Sequence, residues 1–462
     1  MFHVKHPPGD TIAAIATPLG EGGVGIVRVS GVDAKAILSH LFVSSNGSGT
    51  NSHKMLVGWM VDPSKNVKID QIMACYMKGP KSYTGEDVVE FYCHGGTAVV
   101  QQVLNIVLVS GARLARRGEF TKRAFLNSKL DLSQAEAVLD LVKARTAQCA
   151  GYAVSQLEGK LSGIVADLKA RVMQVMAGLE AQIDFPDDMP SLDHNALIDQ
   201  LSSIREEIAS LICSAADGKV YREGLATVIV GKPNVGKSCL LNALLGEQRA
   251  IVTDQPGTTR DAIEELLNLD GLALRIIDTA GVRHPQDKAE ELGVERAEKE
   301  LLTADFALIV IDASGPLNDL DKKVINKASN VRKVIVLNKV DLGAVVDKCS
   351  IGAISGDCPV FEVSALYGHG MDELKRGLSG ALRPGLSDGC GSTVTINARH
   401  VECLIRADAG LERAVASCNG RMTVDFITID IKDALLALGE ISGELVSEEV
   451  INAIFEQFCV GK

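Results

Sequence analysis

Residues 10–126 carry short apolar runs at a period of two, separated by turns. Thr11–Ala16 and Gly25–Val29 read as strands around the turn Gly20-Glu21-Gly22-Gly23, and Val57–Met60, Ile72–Met77 and Val88–Cys93 read as further strands. Ala98–Val109 has helical spacing. From Leu132 to about Phe185 no proline occurs, and alanine, leucine, glutamine and lysine recur at helical intervals. Pro186-Asp187-Asp188-Met189-Pro190 breaks that run, and Ala196–Ala216 resumes it. At Leu225 the pattern changes to strand, glycine loop and helix, and this alternation lasts until about Leu382, where Arg383-Pro384-Gly385 closes it. Helical periodicity returns from Val401 to the end. A terminal helical stretch that short is marginal alone, so it is expected to pack on the helices of 132–218. The α/β stretch then becomes an insertion within one discontinuous helical domain.

Composition narrows the class. The chain has 462 residues, 46% of them hydrophobic and 23% charged, which excludes a disordered or fibrous protein. Its 11 cysteines form no CxxC pair, so reduced thiols and a cytoplasmic location are expected. The start lacks an apolar or Arg/Ser-rich targeting pattern, and the longest apolar runs, near 104–109 and 304–311, fall far short of the ~20 residues of a membrane helix. No membrane association is expected. A net charge of −12 argues against non-specific coating of nucleic acid, which needs a broad basic face, but leaves room for a local patch.

The α/β stretch carries chemistry. Thr227–Val230 is an apolar strand that runs into Gly231-Lys232-Pro233-Asn234-Val235-Gly236-Lys237-Ser238, and Cys239–Leu245 reads as helix. This is GxxxxGKS in its required context: glycines let backbone N–H groups wrap phosphates, Lys237 reaches the β- and γ-phosphates, and the Ser238 hydroxyl ligates Mg²⁺. Asp278-Thr279-Ala280-Gly281 follows the strand Leu274–Ile277, where its acid suits the metal and its glycine the γ-phosphate. Asn338-Lys339-Val340-Asp341 follows Val334–Leu337, and a carboxylate at Asp341 accepts from both N1–H and the 2-amino group of guanine, a donor pair adenine lacks. Ser364-Ala365-Leu366 follows Phe361–Val363 and is expected to close over the base. The nucleotide is therefore expected to be GTP. Gly257-Thr258-Thr259-Arg260-Asp261 stands where a switch loop supplies a second Mg²⁺ hydroxyl, best from Thr259. After DTAG, where many small GTPases carry a water-orienting glutamine, this chain has Val282, so another group has to orient the water.

GKPNVGKS, TDQPGTTRD, DTAG, NKVD and the closing Phe458-Cys459-Val460-Gly461-Lys462 together resemble the MnmE (TrmE) family of tRNA-modifying GTPases, over about Asp10 to Lys462. The resemblance implies an N-terminal tetrahydrofolate-binding and dimerisation domain at 1–126, similar to aminomethyltransferase folds. It implies helical domain parts at 127–222 and 386–462, and an inserted GTPase domain at 223–385. By resemblance GTP lies against Asn234 to Cys239, Thr253, Asp254, Gln255, Pro256, Gly257, Thr258, Thr259, the DTAG and NKVD motifs and Ser364 to Leu366. The resemblance implies that K⁺ is held by Asn234, Thr253, Gln255 and Thr258, and that hydrolysis is stimulated by K⁺ as G domains pair. A cation beside the phosphates does the work of an arginine finger. The pattern E-x-x-G-x-E-R places the family's catalytic glutamate at Glu290.

The resemblance further implies that 5-formyltetrahydrofolate or a related tetrahydrofolate is held by Arg28, Glu90, Lys129 and Lys462. Glu21 stands where members often have a basic residue. It implies a homodimer, a heterotetramer with the flavoprotein MnmG (GidA), and tRNA as substrate. The product is an aminomethyl or carboxymethylaminomethyl-type group at C5 of the wobble uridine. Cys459, near Lys462, reads either as a nucleophile or as a small positioning residue. Adjacent strand residues face opposite ways, so Cys93 and His94 are not expected to form a dyad. Arg113, Arg116, Arg117, Lys122 and Arg123 form the best local candidate for tRNA backbone contact, against the reading of a solvated basic face. Two rivals stay open: an RNA-binding ribosome-assembly GTPase, and a folate-dependent aminomethyltransferase with an accessory G domain.

Overall fold

The computed structural model describes residues 9–45, 47, 51–185, 187, 193–246, 265–269, 271–277, 301, 304–346, 351, 352, 354, 356, 358–382 and 396–462. The chain forms two compact units, one of Met1–Val142, Gln156–Glu206 and Glu402–Lys462, the other of Lys143–Ser155 and Glu207–Val401. Among the described residues the longer helices are α1 (Ala34–Leu41), α2 (Thr97–Val109), α3 (Glu119–Leu126), α4 (Leu132–Lys143), α5 (Ala147–Leu157), α6 (Lys160–Asp184), α7 (His194–Glu223), α8 (Lys237–Leu245), α9 (Asp319–Lys327), α10 (Met371–Leu382), α11 (Ala398–Asn419), α12 (Val424–Ser442) and α13 (Glu448–Phe455). None of them is long and apolar enough to cross a membrane.

In the first unit, β1 (Ile12–Ile15), β2 (Gly25–Ser30), β3 (Phe42–Ser44), β4 (Met55–Asp62), β5 (Val67–Met77), β6 (Val88–Cys93) and β7 (Arg113–Leu114) make a seven-stranded sheet in the order β3-β4-β5-β6-β2-β1-β7. The period of two sorts the side chains. Val27 and Val29 of β2 and Val89, Phe91 and Cys93 of β6 pack with Ile37, Leu38 and Leu41 of α1 and Val100, Val103 and Val107 of α2. Arg28, Glu90 and Tyr92 are left to the opposite face. The strand prediction locates five of these strands, and it misses α1, β3, β7 and α3. The two short strands carry too few residues to show a period, and α1 and α3 span only eight residues each.

The proline-free stretch is not one helix. It is divided into α4, α5 and α6, and Gly159, at φ +84°, starts the last of them. Leu132, Ala135 and Leu139 of α4 share a buried cluster with Ile451, Ile454 and Phe455 of α13 and with Phe458. α12 lies along α6. The C-terminal helices thus pack on helices from before the α/β stretch, as their marginal length demands.

In the second unit, β8 (Leu225–Val230), β9 (Glu265–Leu269), β10 (Leu272–Ile276), β11 (Phe306–Asp312), β12 (Arg332–Asn338) and β13 (Val360–Val363) form a sheet in the order β13-β12-β11-β8-β10-β9. Every pairing is parallel except the β9–β10 hairpin. Continuous Val/Ile/Leu runs such as β11 are buried on both faces. Leu240, Leu241 and Leu244 of α8 and Leu374 and Leu378 of α10 cover one face, while Val324 and Ile325 of α9 cover the other.

Candidate functional site

β8 is buried along its whole length and delivers the chain to the glycine loop, and α8 starts at Lys237. Two glycines of the loop are required by space as well as by dihedral angle. A Cβ on Gly231 (φ +157°) would lie 2.3 Å from the Val310 carbonyl oxygen, and one on Gly236 (φ +96°) 2.3 Å from Asn338 Nδ2. Asn234 adopts φ +62° without being glycine, a conformation that asparagine tolerates better than most residues. Lys237 Nζ donates to the carbonyls of Gly231 at 2.8 Å and Lys232 at 2.9 Å, so the ammonium spans the loop it belongs to. Lys232 is anchored to buried Asp321 at 3.0 Å, and Asp321 closes the capping box of α9 with Asn318. Val235 is buried, while Ser238 and Cys239 are half-buried on the first turn of α8.

The motif at the end of β12 is tied to this loop by one side chain. Asn338 is buried, its Nδ2 donates to the Val235 carbonyl at 2.8 Å, and its Oδ1 accepts from the Ala365 amide at 3.0 Å. Three sequence motifs thus meet on one amide group. Lys339, at φ +66°, pairs with Asp312 at 2.7 Å. Burial pushes the Asp312 carboxyl up, yet the Lys339 ammonium and Ser314 more than offset it and hold the group below the usual carboxylate range. Asp341 is exposed within a single turn, Val340–Leu342. Ser364 is buried and its hydroxyl accepts from the Tyr367 amide at 3.4 Å, while Leu366 is exposed. Thr253, Asp254, Gln255, Pro256, Gly257, Thr258, Thr259, Asp278, Thr279, Ala280, Gly281, Val282 and Glu290 lie outside the described residues.

A second constellation stands on the open face of the seven-stranded sheet. Strand register sets Arg28 directly opposite Glu90, and Glu90 opposite Cys75. Arg28 Nε donates to Glu90 Oε1 at 2.8 Å, and the Tyr92 hydroxyl donates to Glu90 Oε2 at 2.5 Å. Burial first, then the Glu90 carboxylate, push the Tyr92 hydroxyl well above its ordinary range. The Arg28 guanidinium also stands over the rings of Tyr83 at 5.5 Å and Phe120 at 5.7 Å.

The C-terminal residues return to this face. Arg28 Nη1 donates to the Gly461 carbonyl at 3.4 Å, Phe120 N to the Lys462 carbonyl at 3.2 Å and Gly118 N to the Cys459 carbonyl at 3.3 Å, and Arg117 bridges Val460. Gly461 has φ +98°, and a Cβ there would lie 2.2 Å from the Ile15 carbonyl oxygen. Cys459 is exposed. Lys129 engages the Pro80 carbonyl at 3.2 Å rather than Arg28 or Glu90. Sequence reasoning missed Tyr83, Tyr92 and Phe120. For Tyr92 a signal existed, since it lies two residues beyond Glu90 on the same strand.

The basic cluster at 113–123 is mostly spent inside the fold. Buried Arg123 pairs with Asp10 at 2.6 Å, Glu86 at 3.0 Å and Glu119 at 3.3 Å, and Arg113 pairs with Asp10 and Glu119. Lys122 bonds Asn452 at 2.7 Å. Arg116 and Arg117 alone remain exposed. Cys93 is buried, with burial pushing its thiol up to about 11, and His94 turns instead to Asp70 at 2.7 Å.

The described residues fit the expected ligands in part. A loop whose added Cβ atoms would strike neighbouring atoms, with a lysine across it and a serine opening the helix, suits a phosphate chain. An Arg–Glu pair with flanking rings offers donors, an acceptor and flat surfaces to an aromatic heterocycle.

Comparison with known proteins adds to this. The TrmE family described as "GTP-binding protein TrmE N-terminus" matches residues 11–129, and the MnmE helical domain matches 132–459. The tRNA modification GTPase MnmE of Geobacillus kaustophilus is 43% identical over 458 residues, covering 98% of this chain and 99% of that protein. The protein of the same name in Natranaerobius thermophilus is 44% identical over 455 residues, covering 98% and 99%. That of Heliobacterium modesticaldum is 44% identical over 464 residues, covering 98% and 100%. A solved structure of the T. maritima FeoB G domain is similar at 22% identity, covering 34% of this chain and 98% of that one, with a TM-score of 0.26.

Proposed function

We propose, for a chain that belongs to the family of the tRNA modification GTPase MnmE, that GTP hydrolysis in the second unit drives a folate-dependent modification at C5 of the wobble uridine. The observation that carries the nucleotide half is the meeting of the glycine loop, the NKVD asparagine and the Ser364-Ala365 segment through Asn338. In this reading Lys237 exchanges its carbonyl partners for phosphate oxygens, and Asp341 selects guanine. Mg²⁺ would be held by Ser238 and Thr259 and K⁺ by Asn234, Thr253, Gln255 and Thr258, and both would supply positive charge to the phosphates. Glu290 orients the attacking water, the task a valine at 282 cannot perform.

The folate half rests on Arg28 and Glu90. A carboxylate whose two oxygens are each bonded from one side still has free lone pairs, and these suit the ring N–H donors of a reduced pterin. Lys129 and Lys462 are the cations for the glutamate tail of a 5-formyltetrahydrofolate or a related tetrahydrofolate. The product group is of the aminomethyl or carboxymethylaminomethyl type. The reading includes a cytoplasmic homodimer paired through 1–126 and a flavoprotein partner of the MnmG type, and it takes 127–222 with 386–462 as one helical domain around a G domain at 223–385.

The test is steady-state GTP hydrolysis in KCl against NaCl at matched ionic strength over a range of protein concentrations. The reading expects strong K⁺ stimulation that is lost in Asn234→Ala. Equal rates in both salts would remove the roles given to Asn234 and Glu290, leaving a guanine-nucleotide site without the paired mechanism.

A further inference from the structure

The turn that leaves β5 gathers lysines and pairs none of them with an acid. It runs through Lys78, Gly79, Pro80 and Lys81, and is closed by the Lys81 amide on the Lys78 carbonyl at 3.1 Å. Lys129 reaches it from beyond α3, with its ammonium 3.2 Å from the Pro80 carbonyl. Residues 52–54 brace the other side. The Ser52 hydroxyl accepts from the Lys78 amide at 3.0 Å and is hydrogen-bonded to His53 Nδ1 at 2.7 Å, while His53 Nε2 donates to the Lys81 carbonyl at 2.7 Å. Lys54 follows directly. All of these lysines are exposed, and among the described residues none of them takes part in an ion pair.

Two acids follow the turn in sequence, and neither pairs with its lysines. Asp87 accepts from the Tyr76 hydroxyl at 2.8 Å and from the Gly79 amide at 2.9 Å, so it holds the turn from behind. Glu86 accepts from Arg123 and from Ser30. The Asp87 carboxylate offsets one positive charge at the turn, and the four exposed lysines outnumber it, on a chain whose net charge is −12. Such a local excess of positive charge attracts a polyanion.

The geometry points to the Lys54–Lys78–Lys81–Lys129 turn as a contact for the phosphate backbone of tRNA. This rests on the tRNA-modifying reading above. It deepens that reading by stating where the substrate is gripped. At the alternative surface, 113–123, Arg113 and Arg123 are paired with acids, so it offers less uncompensated charge. Lys129 belongs both to this turn and to the proposed folate set, which would bring the RNA backbone beside the one-carbon donor.

The experiment measures binding of a fluorescent, unmodified tRNA transcript to the full-length chain across a salt series. The variants are Lys78→Gln/Lys81→Gln and the charge reversal Lys78→Glu/Lys81→Glu, with thermal melting as the folding control. Each phosphate contact contributes about 0.7–0.9 to the slope of log K against log salt. The double glutamine variant is expected to flatten that slope by about 1.4–1.8, to weaken Kd at least about fivefold at 0.1 M salt, and to keep its melting temperature. The charge reversal is expected to weaken Kd further. An unchanged slope and Kd in both variants would overturn the assignment while leaving the tRNA reading intact. If the wild-type chain itself fails to bind the transcript, the reading fails together with the assignment. Binding of mono- and hexaglutamyl folate is measured in parallel. Loss of the hexaglutamate's advantage, with tRNA affinity unchanged, would give the turn to the folate tail instead and would overturn the RNA contact.

Discussion

Asn338 shows how one side chain can join distant parts of a sequence. It was readable as the first residue of a guanine motif, but not as the brace between the Val235 carbonyl and the Ala365 amide, because no local pattern relates positions so far apart. Truncation in Asn338→Ala strands a buried carbonyl and a buried amide, at about 1–3 kcal/mol for each unsatisfied group. The expected outcome is a lower melting temperature and GDP affinity reduced at least about tenfold, read by calorimetry. Affinity and melting like those of the wild type would show that the loop keeps its shape without the brace. Tyr92 makes the opposite case, since strand alternation alone puts it beside Glu90. Replacing it in Tyr92→Phe removes one of the two donors that hold the Glu90 carboxylate. Folate binding is expected to weaken by several-fold, because the Glu90 carboxylate is then held by Arg28 alone and is less well placed for the ring. Folate affinity like that of the wild type would mean that the Arg28 bond alone orients the carboxylate.

At the scale of elements, the strands that bear the sites were legible wherever their period was long enough, as in β6 and β8. The short α3 was not. Its sequence reads as a basic patch, and only the tertiary structure shows Arg113 and Arg123 interleaved with Asp10, Glu86 and Glu119. That network has a pH signature. Burial pushes the Glu119 carboxyl up, but bonds from Arg113 and from the Arg116 amide, with the charge of Arg123, outweigh it and hold the group down at about 2. Asp10 is likewise lowered, burial again being outweighed by Arg113 and Arg123. A carboxylate depressed in the folded state adds stability that is fully present above its unfolded value, near 4.5 here, and that is lost as the pH falls toward 2. The first unit is therefore expected to lose stability between about pH 4.5 and 2, and Glu119→Gln to flatten that acid limb. The same variant takes one carboxylate from buried Arg123, which keeps Asp10 and Glu86, and is expected to lower stability at neutral pH as well. Denaturant unfolding followed at pH 7 and pH 3 tests both effects, and an unaltered acid limb would move the pH dependence to other groups.

At the scale of the whole molecule, the chain closes on its own beginning. Sequence periodicity foresaw that the last helices must pack on earlier ones, since so short a segment buries too little by itself. It gave no sign that the residues beyond α13 continue to the N-terminal sheet. There Cys459, Val460, Gly461 and Lys462 meet Gly118, Arg117, Arg28 and Phe120 through main-chain groups. Because these contacts use backbone atoms, the identity of most side chains in the tail carries no trace of them; Gly461 is the exception, since a Cβ there would strike Ile15. Deleting Cys459–Lys462 should therefore do more than remove a thiol and an ammonium. It frees the amides of Gly118 and Phe120 and takes the Gly461 carbonyl from Arg28. Hydrogen exchange is expected to accelerate at Gly118 and Phe120 and to stay slow along β8 and β11, with folate binding weakened in step. Cys459→Ser keeps every main-chain bond and is expected to leave both exchange and folate affinity near wild type. If the deletion and the point substitution behaved alike, the tail would act through its sulfur, and the backbone closure would be incidental to the site.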